Sequence, residues 1–301
     1  MFRSDFIKKL EYLSLVSRRV FRGELLAERK THQSGWGIEF ADHREYFPGD
    51  DLRHLDWNVF ARLGHRFIKR FEEKQDAAVS IFLDASQSMQ PDSGGKGTNG
   101  LSKFDYAKQI AAALAYIALA QLDRVSIISF AGKIEEVLPP VRGKQQIVNV
   151  LRFLEHCRPV PGETDFAGTF RSFVRRRPRS GLAVIVSDFF DRRLVQTGIP
   201  SVLDTLTFRR FELNIIQILG ETEAEPDFRG DYRFIDAETG EDRNITVTEN
   251  RLRRYKEKMS GFQDSLKNYC RKNGFIYTLS RTSVPFEDLV LKMMRQTGGL
   301  R

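Results

Sequence analysis

With 301 residues and a formal net charge of +8, the chain has room for one large domain or two modest ones, and its basic balance favours acidic partners without bearing on fold. Cys157 and Cys270 stand far apart without metal-ligand spacing, which argues against a disulfide framework and leaves two free thiols in a reducing compartment as the expectation. The N-terminus carries Asp5 and Glu11 and no apolar h-region, and the longest apolar run, Ile110 to Ala120, is far short of the ~20 residues of a membrane span, so a soluble, cytoplasmic chain is expected.

Residues 4–30 read as a helix, with Phe6, Leu10, Leu13, Val20 and Phe21 on one face. Residues 32–75 are aromatic, dense in both charge signs and broken by Pro48-Gly49-Asp50-Asp51, which predicts a short strand-turn-helix module leading into a strand at 65–72. From Ala78 the pattern alternates strand and helix. Strand 79–84 precedes a Gly-rich loop, 91–100, and helix 103–121. Strand 125–130 is followed by an edge strand, 134–138, stopped by Pro139-Pro140. Helix 143–156, a loop at 159–165, helix 166–176, strand 182–187, helix 200–210 and strand 213–219 come next. Residues 231–248 read as a hairpin around Ala237-Glu238-Thr239-Gly240, and helix 249–273, strand 275–279 and helix 285–297 close the chain. Such alternation predicts a mainly parallel, doubly wound sheet with helices on both faces.

Asp84-Ala85-Ser86-Gln87-Ser88 ends the first apolar strand. One carboxylate and two hydroxyls thus meet at a strand's C-terminal edge, where open α/β sheets bind ligands. Oxygen donors at alternate positions suit a hard cation such as Mg²⁺, and no thiol or imidazole is present to favour zinc. Thr164, just before a helix, and Asp188, at the end of another strand, reach the same edge if the two strands are neighbours. The plain structural alternative is a Ser-rich turn with Thr164 and Asp188 as helix caps. An aspartyl phosphatase would need a general acid two residues after Asp84, where Ser86 stands, and a serine hydrolase would need Gly-x-Ser-x-Gly and a histidine partner.

These residues resemble the metal-ion-dependent adhesion site of von Willebrand factor A domains. Asp84, Ser86 and Ser88 match its first element, Thr164 its second and Asp188 its third. The resemblance covers about residues 78–220 and implies a divalent cation, Mg²⁺ or else Mn²⁺ or Ca²⁺, with one coordination position left for a partner's Asp or Glu. The family often carries Thr-Asp-Gly at the third element, whereas this chain has Ser187-Asp188-Phe189.

The run from Gly37 to Trp57, continuing to Glu72, is similar to the signature of the family called domain of unknown function fifty-eight, which precedes a von Willebrand-like domain. That resemblance implies a bacterial adaptor or co-chaperone working with a MoxR-type AAA+ ATPase. Within the run, Arg44, Arg53 and Arg62 interleave with Asp50, Asp51 and Asp56, and two readings stay open beside a catalytic one. One is an ion-pair network pinning the module to the sheet. The other is a partner-docking surface of Arg44, Tyr46, Asp50, Asp51, Arg53, Asp56 and Trp57, with Trp36 as a further anchor. His32, His43, His54 and His65 recur every eleven residues, a spacing that fits no ligand geometry.

Basic residues crowd 175–179 and helix 249–273, but no stacking platform accompanies them, so no nucleic-acid partner is expected. The expectation is therefore a signature module over residues 1–76 and a von Willebrand A-like domain over 77–301. The function expected is metal-dependent protein binding rather than catalysis, with a metal-dependent phosphoryl hydrolase as the alternative.

Overall fold

Unbroken apolar runs mark the central strands, as a sheet covered on both faces requires. A computed structural model describes residues 2, 4–28, 39–48, 50–72, 77–90, 101–191, 194, 198–235 and 242–298. The loop at 91–100, the hairpin tip at 236–241, His32 and Trp36 lie outside the described residues. The chain forms two compact units, residues 1–22 with 77–301, and residues 23–76. The first unit takes in the start of α1 (Ser4–Glu28), which the sequence reading assigned to the module.

In the larger unit, strands β3 (Ala78–Asp84), β4 (Arg124–Phe130), β5 (Ile134–Arg142), β6 (Leu182–Ser187), β7 (Glu212–Leu219) and β10 (Ile276–Arg281) form one sheet. Its order is β10-β7-β6-β3-β4-β5, parallel except for β5 at one edge. Side chains alternate between two cores. Val79, Ile81 and Leu83 of β3 face α1, α3 (Lys103–Ala120), α4 (Ile147–His156) and α9 (Phe286–Gly298). Phe82 faces α5 (Phe166–Arg175), α6 (Ile199–Thr207) and α8 (Glu249–Lys272). On that side Phe82 meets Phe170 and Phe173 edge to face, at centroid distances of 5.2 and 4.8 Å. Each such fully buried side chain contributes roughly 1.5–3 kcal/mol.

Two elements differ from the sequence reading. Strand β5 runs on through Pro139 and Pro140 to Arg142 instead of stopping at 138. It is an edge strand, and its register against β4 slips between Val125 and Ile127, so the prolines sit where a missing N–H is tolerated. A short helix, α7 (Glu221–Ala224), follows β7 where none was expected. The hairpin formed by β8 (Gly230–Ile235) and β9 (Asp242–Val247) pairs only with itself in the described sheets.

In the smaller unit, β1 (Glu39–Glu45) and β2 (Phe67–Glu72) pair antiparallel around α2 (Trp57–Leu63). Asp56 caps α2 by accepting from Asn58 and Val59 N–H groups, and Gly64 ends it at φ +71°. No described helix is long and apolar enough to cross a membrane.

Candidate functional site

The sheet places its chain reversal between β3 and β6. From β3 the chain moves outward to β4 and β5, then returns to the other side of β3 as β6. Ligands of open α/β sheets bind in the crevice at such a switch point. Leu83 lies opposite Val186, so Asp84 and the Ser187-Asp188 pair leave the sheet side by side.

Asp84 is 1% exposed. Its Oδ1 accepts the Ser86 N–H at 2.9 Å, and its Oδ2 accepts the Ser187 hydroxyl. Burial, reinforced by the Asp188 charge, pushes the Asp84 carboxyl up to about 7, against the pull of those hydrogen bonds. Ser86 is fully buried and opens a single 3₁₀ turn, Gln87–Met89, whose Met89 is anchored in the core. That turn brings Ser88 back over Ser86, with the two Oγ atoms 2.9 Å apart. The distance is that of a hydrogen bond, and adjacent donors of an octahedral Mg²⁺ with bonds of ~2.0–2.1 Å are also about 2.9 Å apart.

Thr164 is buried in the loop ahead of α5. That loop is laid against the ends of β3 and β4, since Val160 N–H donates to Ala85 O at 2.7 Å and Asp165 N–H donates to Ala131 O at 3.0 Å. Asp165, not Thr164, caps α5, accepting from Gly168 N–H at 2.8 Å. Asp188 is 1% exposed, and its Oδ1 accepts the Phe190 N–H at 3.0 Å. The structure thus brings Asp84, Ser86, Ser88, Thr164 and Asp188 to one edge. The set holds two carboxylates and three hydroxyls, and among the described residues no group of three or more His, Cys, Asp or Glu converges as a metal cluster. The donor chemistry fits a hard cation of the Mg²⁺ type and not zinc.

Sequence reasoning missed two residues of this edge. Lys103, the first residue of α3, is 4% exposed and donates to Asp188 Oδ2 at 2.7 Å and to Glu223 Oε1. Burial alone would pull the ammonium down, but the Asp188 and Glu223 charges outweigh it and hold Lys103 above its ordinary range. Glu223, on α7, is raised by burial and lowered in part by Lys103, and its other oxygen accepts the Gly220 N–H at 2.8 Å. A lysine opening a helix and a glutamate in an acidic stretch both read as solvated residues, and no sequence signal joins them.

The module's charged residues pair locally. Arg44 meets Asp50 at 2.5 Å, Arg53 grips Asp51 through Nε and Nη2, and His43 meets Asp56 at 2.8 Å. Hydrogen bonds from Phe47 N–H and Arg44 hold Asp50 below its usual range, and those from Arg53 do the same for Asp51. Asp51 and Asp56 also cap the 3₁₀ turn at Leu52–His54 and helix α2. Trp57 projects from α2, 64% exposed, with Phe47, Leu52 and Leu63 also exposed. Tyr46 is half-buried, its N–H donating to Arg66 O at 2.9 Å.

The doubly wound, mainly parallel sheet with helices on both faces is a von Willebrand A-like α/β fold. Residues 42–263 match the family described as "Protein of unknown function DUF58", and the chain belongs to that family. It is 26% identical over 240 residues, 79% of this chain and 73% of the relative, to uncharacterized protein Rv1480 of Mycobacterium tuberculosis and to uncharacterized protein Mb1516 of Mycobacterium bovis. In structure it is similar to an aerotolerance-related membrane protein from Bacteroides fragilis, at 18% identity and TM-score 0.43 over 73% of this chain and 99% of that one. It is also similar to the conserved hypothetical protein BatB from Bacteroides thetaiotaomicron, at 16% identity, TM-score 0.43 and the same coverage. The SpRpn10 VWA domain aligns at 12% identity and TM-score 0.39, over 73% of this chain and 95% of that domain.

Proposed function

We propose that this chain is a metal-dependent protein-binding adaptor. Asp84, Ser86, Ser88, Thr164 and Asp188 hold one divalent cation, Mg²⁺ or in its place Mn²⁺ or Ca²⁺, and a partner's acidic side chain completes its shell. The observation that carries the reading is the convergence of the Ser86 and Ser88 hydroxyls, 2.9 Å apart, beside two buried carboxylates at the sheet's switch point. Three of the five donors are neutral hydroxyls and Asp188 already shares its charge with Lys103, so the cation keeps part of its own charge, which an incoming Asp or Glu would satisfy. The family resemblance supports a MoxR-type AAA+ ATPase as the partner or the source of its client. The exposed Trp57, together with Arg44, Tyr46, Asp50, Asp51 and Arg53 of the same unit and the buried Asp56 that caps α2, is the part of the module assigned to docking, since exposed aromatics anchor interfaces. Hydrolysis is the weaker reading, because Ser86 stands where a general acid would be needed.

The test uses the purified MoxR-type ATPase of the same organism, immobilised, with wild type and Asp84→Ala passed over it in Mg²⁺ and in EDTA. Retention of wild type in Mg²⁺ alone is expected. Equal retention in all conditions would sink the cation reading and leave the module as the docking surface. Metal-dependent turnover of a phosphate monoester would favour the hydrolase.

A further inference from the structure

Lys103 takes no part in the five-residue set, yet it is bound to one of its members. An ammonium this buried is costly unless its charge is matched. Lys103 is matched twice, by Asp188 Oδ2 at 2.7 Å and by Glu223 Oε1, and its Nζ lies 5.2 Å from the centre of the Phe190 ring. Both Asp188 oxygens are already engaged, Oδ1 by the Phe190 N–H and Oδ2 by Lys103. Any cation in the edge site therefore shares the Asp188 charge with a resident one. Glu223 draws Lys103 the other way, and it is itself fixed by the Gly220 N–H and by α7, whose Glu223 carbonyl accepts the Tyr255 hydroxyl at 2.9 Å.

We infer that Lys103 and Glu223 together set the site's affinity for its cation, Lys103 weakening it by competing for Asp188 and Glu223 restoring it by drawing Lys103 away. The inference rests on the proposal that the edge holds a divalent cation. It makes Lys103 a positioning and affinity-setting residue rather than a ligand, and it gives the two variants opposite signs. A plain core ion pair would instead make both substitutions loosen the edge, so that cation affinity falls in both.

The measurement is Mn²⁺ binding to the full chain, with free Mn²⁺ read by its electron paramagnetic resonance signal and melting followed by circular dichroism. Wild type, Lys103→Met, Glu223→Gln and Asp84→Asn are compared. Lys103→Met removes a like charge next to the site and is expected to bind Mn²⁺ about tenfold more tightly or better. Glu223→Gln leaves Lys103 wholly on Asp188 and is expected to bind at least about threefold more weakly. Should Lys103→Met fail to fold, Lys103→Gln, which removes the charge but keeps an N–H donor for Asp188, takes its place, and tighter Mn²⁺ binding is again the expected result. Both affinities moving the same way, or neither moving, overturns the inference while leaving the cation site standing. Absence of Mn²⁺ binding in every chain, or binding that survives Asp84→Asn, overturns the site and this inference with it.

Discussion

Phe189 stands where the resembling adhesion sites often carry glycine, and its backbone explains why glycine suits the position. Its φ is +62°, in the left-handed region that costs a side chain roughly 1–2 kcal/mol. The residue is kept there by its ring, which is 1% exposed and stacked on Phe166 at 5.2 Å with an interplanar angle of 4°, and by its N–H, which donates to Ser187 Oγ at 2.8 Å. Phe189→Gly would relieve the backbone but remove a buried ring worth about 3–5 kcal/mol by large-to-small precedent. A net destabilisation of about 2–3 kcal/mol is expected, read as a lower urea midpoint at unchanged m-value. A neutral or stabilising result would mean that the ring is not holding the turn that carries Asp188.

The long central elements were legible in the sequence because strands buried on both faces carry runs such as Val79-Ser80-Ile81-Phe82-Leu83, bounded by turn residues. Strand β5 was cut short because its prolines look like a stop, and only tertiary position shows them to be on a tolerant edge. Helix α7 was invisible because four residues carry no periodicity. The candidate site divides on the same line. Asp84, Ser86 and Ser88 sit within one short motif, whereas Lys103 meets Asp188 and Glu223 across 85 and 120 residues of chain, so that pairing exists only once the sheet has formed. Helix α3 adds a case of its own. Ala111, Ala112 and Ala113 are all fully buried, and three successive residues cover most of a helix's circumference, so the helix is enclosed rather than amphipathic. Small residues on every side let neighbouring elements approach. Ala112→Leu would overfill that space and is expected to cost about 1–3 kcal/mol, measured by urea unfolding. A loss below about 0.5 kcal/mol would reveal unfilled volume beside α3.

Across the whole molecule, the two thiols are placed as a matched pair of reporters. Cys157, at the C-terminus of α4, belongs to the core on one face of the sheet, and Cys270, on α8, belongs to the core on the other. Both are 1% exposed, and burial pushes each thiol up to about 12. At pH 8 such a thiol is ionised in roughly one molecule in ten thousand, against about a quarter for a free cysteine near 8.5. Native protein at pH 8 should therefore be nearly inert to a thiolate-specific disulfide reagent. Because a raised thiol pKa lowers the reactive fraction below it, any native reaction should quicken about tenfold per pH unit between 7 and 10. The two cores share strands β3, β4, β6 and β7, each contributing alternate residues to each face, so neither face can be lost while the other keeps its sheet. Single-thiol chains, Cys157→Ala and Cys270→Ala, should each release their remaining cysteine in one urea transition with coincident midpoints, once the stability cost of each alanine is measured by circular dichroism. If Cys270 reacts at clearly lower urea than Cys157, α8 detaches ahead of the sheet, and the helix beside the exposed hairpin is a separate folding unit.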